Sequence, residues 1–315
     1  MLALKEKLSL IDPNQIITEN PWILWPKEPC PELLKSLEYL GQLEPILIFQ
    51  EQEKIFLIHG YKRTLALKNL KKNILALKIE KKSPKKLGFI YYSLNNLPYP
   101  AQWALVKAFR FFSKFKLSSQ ELAILGIHPK GLQLKLLNNW IKLPKKWDNL
   151  LQLEHLDLEI GGLVKNFSLN EQEVLFLLFK DLKWSKSNQK KVLQWLNEIS
   201  LKTQKQLNSL LEEMNIFTVL SSNLSPQDKI KKILNLVWKY RYPLLSQTHS
   251  KILNHLKNLQ AGTGWTIDHP FQLENSNLIF KGKFSNPKDL SHAIEELKLI
   301  AKQNPWANWE SFLDI

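Results

Sequence analysis

The chain has 315 residues, 44% of them hydrophobic, which is enough apolar surface for about two or three packed domains. Its single cysteine, Cys30, excludes an internal disulfide framework and a cysteine-built zinc site. The net charge of +15 fits either a nucleic-acid partner or a generically basic surface, and it is spread as +5, +6 and +4 over residues 1–100, 101–200 and 201–315.

The first ten residues are charged and amphipathic, without an apolar signal core. No apolar run reaches the ~18 residues of a membrane span, so a cytoplasmic protein with no membrane partner is expected. Pro13, Pro21, Pro26, Pro29 and Pro31 make residues 1–30 irregular and exclude helix from most of them. Trp22 and Trp25 read as anchors for this arm. Pro31 to Leu40 carries Leu33, Leu34, Leu37 and Leu40 at helical spacing, with Gly41 as the stop. Pro45 to Phe49 and Ile55 to Ile58 are short apolar runs joined by polar residues, the pattern of a hairpin. Gly60 then punctuates the chain, and Arg63 to Asn69 has helix-forming composition. Ile74 to Ile79 reads as a further strand and Lys81 to Lys86 as a charged connection.

Strand, glycine turn and helix start make Gly60, Tyr61, Lys62 and Arg63 the candidate phosphate-binding residues. Backbone N–H groups at a helix N-terminus lack intrahelical acceptors and suit an anion. Of the 44 basic residues only three are arginines, Arg63, Arg110 and Arg241. In so lysine-rich a chain, an arginine implies a need for the planar fork that grips phosphate or carboxylate. The alternative is that Arg63 is an ordinary surface cation at a helix start.

Further along, Gln102 to Lys114 is a long apolar helix. Ser118 with Glu121 is a capping box. A short turn from Ile127 to Gly131 and a second helix from Gly131 to Ile141 complete a helix-turn-helix outline over residues 117–144. The second helix is leucine-rich and reads as a buried structural helix. Its candidate DNA-binding residues are Gln133, Asn138 and Asn139, with Lys130 and Lys135 for phosphates. Residues 145–240 are helical in pattern, with starts near Leu156, Asn170, Ser187, Lys202 and Pro226. Trp184, Trp195 and Trp238 sit among apolar residues at helical spacing and read as packing residues. Leu253 to Leu259, strands at Trp265 to Asp268 and Leu278 to Phe284, and a last helix from Leu290 to Gln303 make a small α+β tail. Seven scattered histidines show no metal-ligand spacing, and no nucleophile elbow is present.

The order of an apolar-proline opening (Ile11 to Asn14), an apolar helix ending in Gly41, Leu43 to Ile48, and Ile58 to Leu67 resembles the N-terminal domain of the chromosome-partition ParB family. Gly60, Arg63 and Ala66 match that family's Gly-Glu-Arg-Arg-x-x-Ala phosphate-binding signature, and Lys62 is a basic substitute. Tyr61 replaces the acidic residue. Asn95 stands where the family has a glutamate, and Asn96 matches its asparagine. The resemblance implies a ParB-like nucleotide- and DNA-binding protein for chromosome, plasmid or mobile-element partition. It also implies CTP with Mg2+ as ligand, Asn96 as an assisting residue, and DNA and a second copy of the chain as partners; the +15 charge spread along the chain and the apolar second helix make a mostly electrostatic DNA contact the expectation. CTP hydrolysis is in question because Tyr61 and Asn95 replace acids. A degenerate adaptor on the same fold, or a small-molecule phosphotransferase, remain open. The implied fold is α+β and mainly helical: a small ParB-like α+β domain over residues 1–88, an all-α region over 89–240 and a small α+β domain over 241–315.

Overall fold

The computed structural model describes residues 7–95, 101–268 and 277–306. They fall into two compact units, residues 1–190 and 191–315. The architecture is α+β and mainly helical, as expected from the sequence.

The first unit opens with β1 (Lys7–Ile11) and β2 (Ile16–Ile17), followed by α1 (Pro31–Tyr39). The hairpin β3 (Ile46–Glu51) and β4 (Lys54–His59) leads into α2 (Tyr61–Asn69) and then β5 (Ile74–Lys78). The sheet order is β1-β5-β3-β4-β2. Pairing is antiparallel at β1/β5 and β3/β4, and parallel at β3/β5 and β2/β4. The inner strands supply the core, with Ile46, Ile48, Leu57, Ile58, Ile74 and Ala76 all buried. Trp22 donates its indole N–H to the Leu57 carbonyl at 2.8 Å, and Trp25 donates to Ala104 at 3.1 Å. Both tryptophans therefore pin the arm, as their positions implied.

Residues 1–30 correct the irregular reading, because β1 and β2 occupy part of them. In β1 the leucines Leu8 and Leu10 face solvent and the strand is held by backbone pairing with β5, so no apolar alternation marked it. The segment read as a charged connection is also corrected. Helix α3 (Pro84–Asn95) begins inside it. Proline needs no amide hydrogen in a first helical turn, so Ser83-Pro84 is a helix start.

Helix α4 (Gln102–Phe112) buries one face, with Leu105, Ala108, Phe109 and Phe112 in the core. Helix α5 (Ser119–Ile124) opens on the expected capping box. Glu121 N–H donates to Ser118 Oγ at 3.2 Å, and Ser118 N–H donates to Glu121 Oε2 at 2.8 Å. There follow α6 (Leu132–Trp140), α7 (Asp148–Gln152), α8 (Gly161–Val164) and α9 (Leu169–Lys180). Helix α9 has a second capping box, in which Glu171 partners Ser168.

Arg110 ties this helical layer together. It meets buried Asp148 through two bonds, Nε to Oδ2 at 2.8 Å and Nη2 to Oδ1 at 2.9 Å. It also donates to the Ile141 carbonyl at 3.0 Å and to Leu143 at 2.9 Å, while Trp140 Nε1 donates to Asp148 at 2.9 Å. Here the arginine fork serves the fold.

Helix α10 is Lys186–Thr203. It carries Lys202 in its last turn, so no helix starts there, and the next, α11 (Leu207–Glu213), begins further on. Then come α12 (Ile216–Ser221), α13 (Pro226–Arg241) and α14 (Pro243–Gln260). The tail is α14, an antiparallel pair β6 (Trp265–Asp268) and β7 (Ile279–Gly282), and α15 (Pro287–Lys302). Its core is Ile252, Leu256, Leu259, Ile267 and Ile300. Among the described residues, no helix is long and apolar enough to cross a membrane.

Candidate functional site

The hairpin delivers the chain to Gly60 by way of His59, the last residue of β4. The β3/β4 register shifts between Leu47 and Ile48, close to this end, and pairing resumes beyond it at Leu47 with His59. Gly60 has φ +102° and caps α2. A Cβ there would lie 2.5 Å from Ile46 Cγ2, so glycine is required both by conformation and by contact. Thr64 closes the first turn, its backbone N–H donating to the Gly60 carbonyl at 2.9 Å and its hydroxyl at 3.2 Å. Thr64 is the first residue of α2 with an intrahelical acceptor, so the N–H groups of Tyr61, Lys62 and Arg63 point out of the helix end without one. No acidic residue lies in this turn, and Gly60 has no side chain to cap it.

Around that opening the structure assembles a polar cluster. Arg63 Nη1 donates to the Glu44 carbonyl at 2.8 Å and to Pro45 at 3.3 Å, and pairs with the Glu44 carboxylate at 3.2 Å. Arg63 Nη2 lies 3.2 Å from His59 Nε2. Arginine only donates, so this contact has an acceptor only in the neutral tautomer that leaves Nε2 bare. Nδ1 in turn lies 3.0 Å from Asn95 Nδ2, which also donates to the Tyr91 carbonyl at 2.7 Å. A neutral imidazole accepts at one nitrogen only, so one of the two donors, Arg63 Nη2 or Asn95 Nδ2, finds no acceptor on His59 whichever tautomer is present. Burial lowers the His59 pKa, the Arg63 charge lowers it further, and Glu44 opposes in part, so the ring is neutral near pH 7. Burial likewise pushes the Tyr91 hydroxyl up to about 12, the Trp25 N–H bond opposing.

Among the described residues, Arg63 Nε has no acceptor, so the guanidinium keeps a donor while it holds the Glu44–Pro45 backbone. The site combines three free amide donors, an arginine at 17% side-chain exposure and the exposed Lys62. Among the described residues, its one carboxylate is Glu44, which is already paired with Arg63. This arrangement can bind an anion.

No family model matches the chain, and no curated protein matches it by sequence. Among solved structures it is similar to a Pnob8-like ParB-N domain, with 16% identity and a TM-score of 0.35, over 68% of this chain and 99% of that one. It is also similar to the C-terminally truncated chromosome-partitioning protein ParB from Caulobacter crescentus complexed with CTP-gamma-S. There the identity is 14% and the TM-score 0.25, over 54% of this chain and 99% of that one.

Of the residues named from the sequence, Gly60, Tyr61, Lys62 and Arg63 come together at the turn, while Asn96 lies outside the described residues. The signal missed was Asn95. Read only as a replaced acid, it is the residue that reaches His59. Glu44, a nearby acid without motif context, proves to be the partner of Arg63.

The second candidate region is less consolidated. Gly126, at φ +72°, ends α5, and Ile127 is buried in the turn. Helix α6 is not the buried helix its leucines implied. Only Leu137 and Trp140 are buried on it, and Leu132 is 68% exposed. Lys130, Gln133, Lys135 and Asn138 are exposed there. Asn139 accepts from Lys165 Nζ at 2.9 Å and is committed to the fold.

Proposed function

We propose that the chain is a ParB-like nucleotide- and DNA-binding protein serving maintenance of a chromosome, plasmid or mobile element. The observation that carries the nucleotide part is the glycine turn with three unpartnered amides beside Arg63. The match of Gly60, Arg63 and Ala66 to the family signature supports CTP as the ligand, with Mg2+ on its phosphates. In this reading the phosphates lie on the N–H groups of Tyr61 to Arg63, Lys62 adds charge from solvent, and Asn96 assists. The test is calorimetry of purified protein against CTP, ATP, GTP and UTP with Mg2+. Arg63→Ala should weaken the preferred nucleotide by about 1.5–3 kcal/mol, the range of a charge-assisted hydrogen bond. Unchanged affinity in a folded Arg63→Ala protein refutes the assignment.

DNA contact in this reading is electrostatic, made by Lys130 and Lys135 on phosphates, with Gln133 and Asn138 as the accessible polar residues of α6. Asn139 contributes no base readout while it holds Lys165. Affinity should then fall steeply with salt through counterion release. Selection from a random DNA pool at raised salt should return no sharp consensus, and one sharp consensus refutes this part.

One observation favours the adaptor as a second reading. Tyr39, Leu40 and Leu43 are exposed large side chains next to Glu44, with Tyr39 at 90%. A patch of this kind fits a protein contact beside the turn. A chain that binds no nucleotide but loses a partner on Tyr39→Ser with Leu43→Ser would favour it.

A further inference from the structure

The sheet of the first unit ends on two unlike edge strands. At one edge β2 is two residues long and Ile16 is buried, which leaves little backbone to pair. At the other edge β1 is five residues long and runs in unbroken register with β5. It carries no proline and no bulge, the usual guards of an edge. Leu8 is 58% exposed and Leu10 70%. Their cross-strand neighbours, Leu77 and Leu75, are half-buried. Single exposed leucines are ordinary, whereas two on alternate residues of a flat edge form an apolar pairing strip.

The hydrogen bonds of β5 fix which backbone groups of β1 are free. Leu75 N–H donates to Gln42 Oε1 at 2.7 Å, and the Leu75 carbonyl accepts from Gln42 Nε2 at 2.8 Å. Gln42 stands just ahead of β3. Past the end of β5, Ile79 N–H donates to the Ile48 carbonyl of β3 at 3.0 Å. Leu75, Leu77 and Ile79 therefore turn their backbone groups toward β3, and Ile74, Ala76 and Lys78 turn theirs toward β1. The residues opposite those three, Ile11, Ser9 and Lys7, exchange the β1/β5 bonds. The N–H and C=O groups of Leu8 and Leu10 are left pointing out of the sheet. Among the described residues, no strand pairs with them.

We propose that β1 is a self-association edge, through which a second copy of this chain joins its sheet to the first. The strand is complementary to itself. When two copies run antiparallel about a two-fold axis at Ser9, Leu8 of each exchanges two hydrogen bonds with Leu10 of the other, and every outward group of both leucines is used. Leucine stands opposite leucine, serine opposite serine, and Lys7 falls opposite Ile11, so no like charges meet. The contact is isologous, so it closes at two copies. So short a ladder buries less than a standard interface, which makes the dimer weak and concentration-dependent. The proposal rests on the strand alone and does not depend on the reading of the Gly60 turn.

The test is sedimentation of the full chain, without nucleotide or DNA, across a wide range of concentration. The parent should pass from monomer to dimer. Leu8→Lys with Leu10→Lys sets like charges opposite each other across the axis and should weaken the dimer at least tenfold. Leu10→Pro removes an outward N–H that takes no part in the β1/β5 ladder, so it should do the same while circular dichroism stays unchanged. Leu153→Lys with Leu169→Lys removes two exposed leucines elsewhere and should leave the dimer as it was. The register has its own readout. Across the axis Ser9 faces its copy as a non-hydrogen-bonded pair, with Cα atoms about 4.5 Å apart, within the range a disulfide spans. Ser9→Cys in a Cys30→Ser background should therefore form a linked dimer on oxidation, and Leu153→Cys in that background should not. The proposal is overturned if the parent stays monomeric throughout, if the Leu153 and Leu169 control weakens the dimer as much, or if Ser9→Cys gives no linked dimer. A dimer weakened only by Tyr39→Ser with Leu43→Ser would place the contact on that patch and overturn it too.

Discussion

The sharpest test of the candidate site is a methyl group at Gly60. Two costs act on Gly60→Ala, and they are separable. The first is conformational. At φ +102° and ψ +25° an L-residue with a Cβ is strained, by roughly 1–2 kcal/mol. The second is steric. The new Cβ would lie 2.5 Å from Ile46 Cγ2 and 3.0 Å from Ile46 Cβ, and Ile46 belongs to the fully buried core of β3. Forcing an extra methyl into such a core costs about 1–3 kcal/mol. Gly60→Ala should therefore lose about 2–5 kcal/mol in urea unfolding followed by tryptophan fluorescence. The steric part depends on Ile46 Cγ2, which Ile46→Ala removes. Alone, that change opens a cavity and costs about 2–5 kcal/mol. Combined with Gly60→Ala, the new methyl enters the space the isoleucine vacated, so the double variant should be more stable than the two losses predict by roughly 1 kcal/mol or more. The conformational cost would remain. Strict additivity, or a Gly60→Ala protein as stable as the parent, would show that strand, turn and helix are not joined as described.

Three further outcomes follow from the same geometry. Asp148→Ala leaves Arg110 buried without its partner and should cost about 3–5 kcal/mol in urea unfolding, whereas Arg110→Met with Asp148→Leu should cost much less than the two single losses together. Folded His59 binds a proton less readily than an unfolded histidine, so the unfolded chain gains protons first as pH falls below the usual histidine value of 6.5. Its contribution is fully present above that value and is lost toward lower pH, so His59→Gln should flatten the fall in stability from pH 6.5 downward, and an unchanged slope would refute the assigned shift. Nucleotide bound at the Gly60 turn should be turned over no faster than in buffer, because Tyr61 and Asn95 offer no carboxylate and Glu44 is paired with Arg63. Phosphate release that Arg63→Ala abolishes would refute this.

What could be read from the sequence follows from how local each signal is. The hairpin, the Gly60 turn and the Ser118 capping box are set by residues within a few positions, and the structure shows them where their side chains require. Strand β1 was not legible, because it is held by backbone pairing with a strand more than sixty residues away while its own leucines face solvent. Helix α6 misled in the opposite sense, since four leucines in one short helix do not say how many face the core. The arginines show the limit most clearly. Scarcity marked all three as purposeful, and each guanidinium is engaged: Arg110 as a fork on Asp148 and on two carbonyls, Arg241 through Nε on Glu198, Arg63 through Nη1 on Glu44 and Pro45. Scarcity could not say which purpose was structural. Arg110 and Arg241 end on acids of the fold. Among the described residues, Arg63 alone of the three lies beside helix-terminal amides without an intrahelical acceptor, and its Nε keeps a donor without a partner. Distance in sequence hid that distinction, because His59 ends β4, Asn95 ends α3 and Glu44 precedes β3, and it is their meeting at one turn that sets Arg63 apart from the other two arginines.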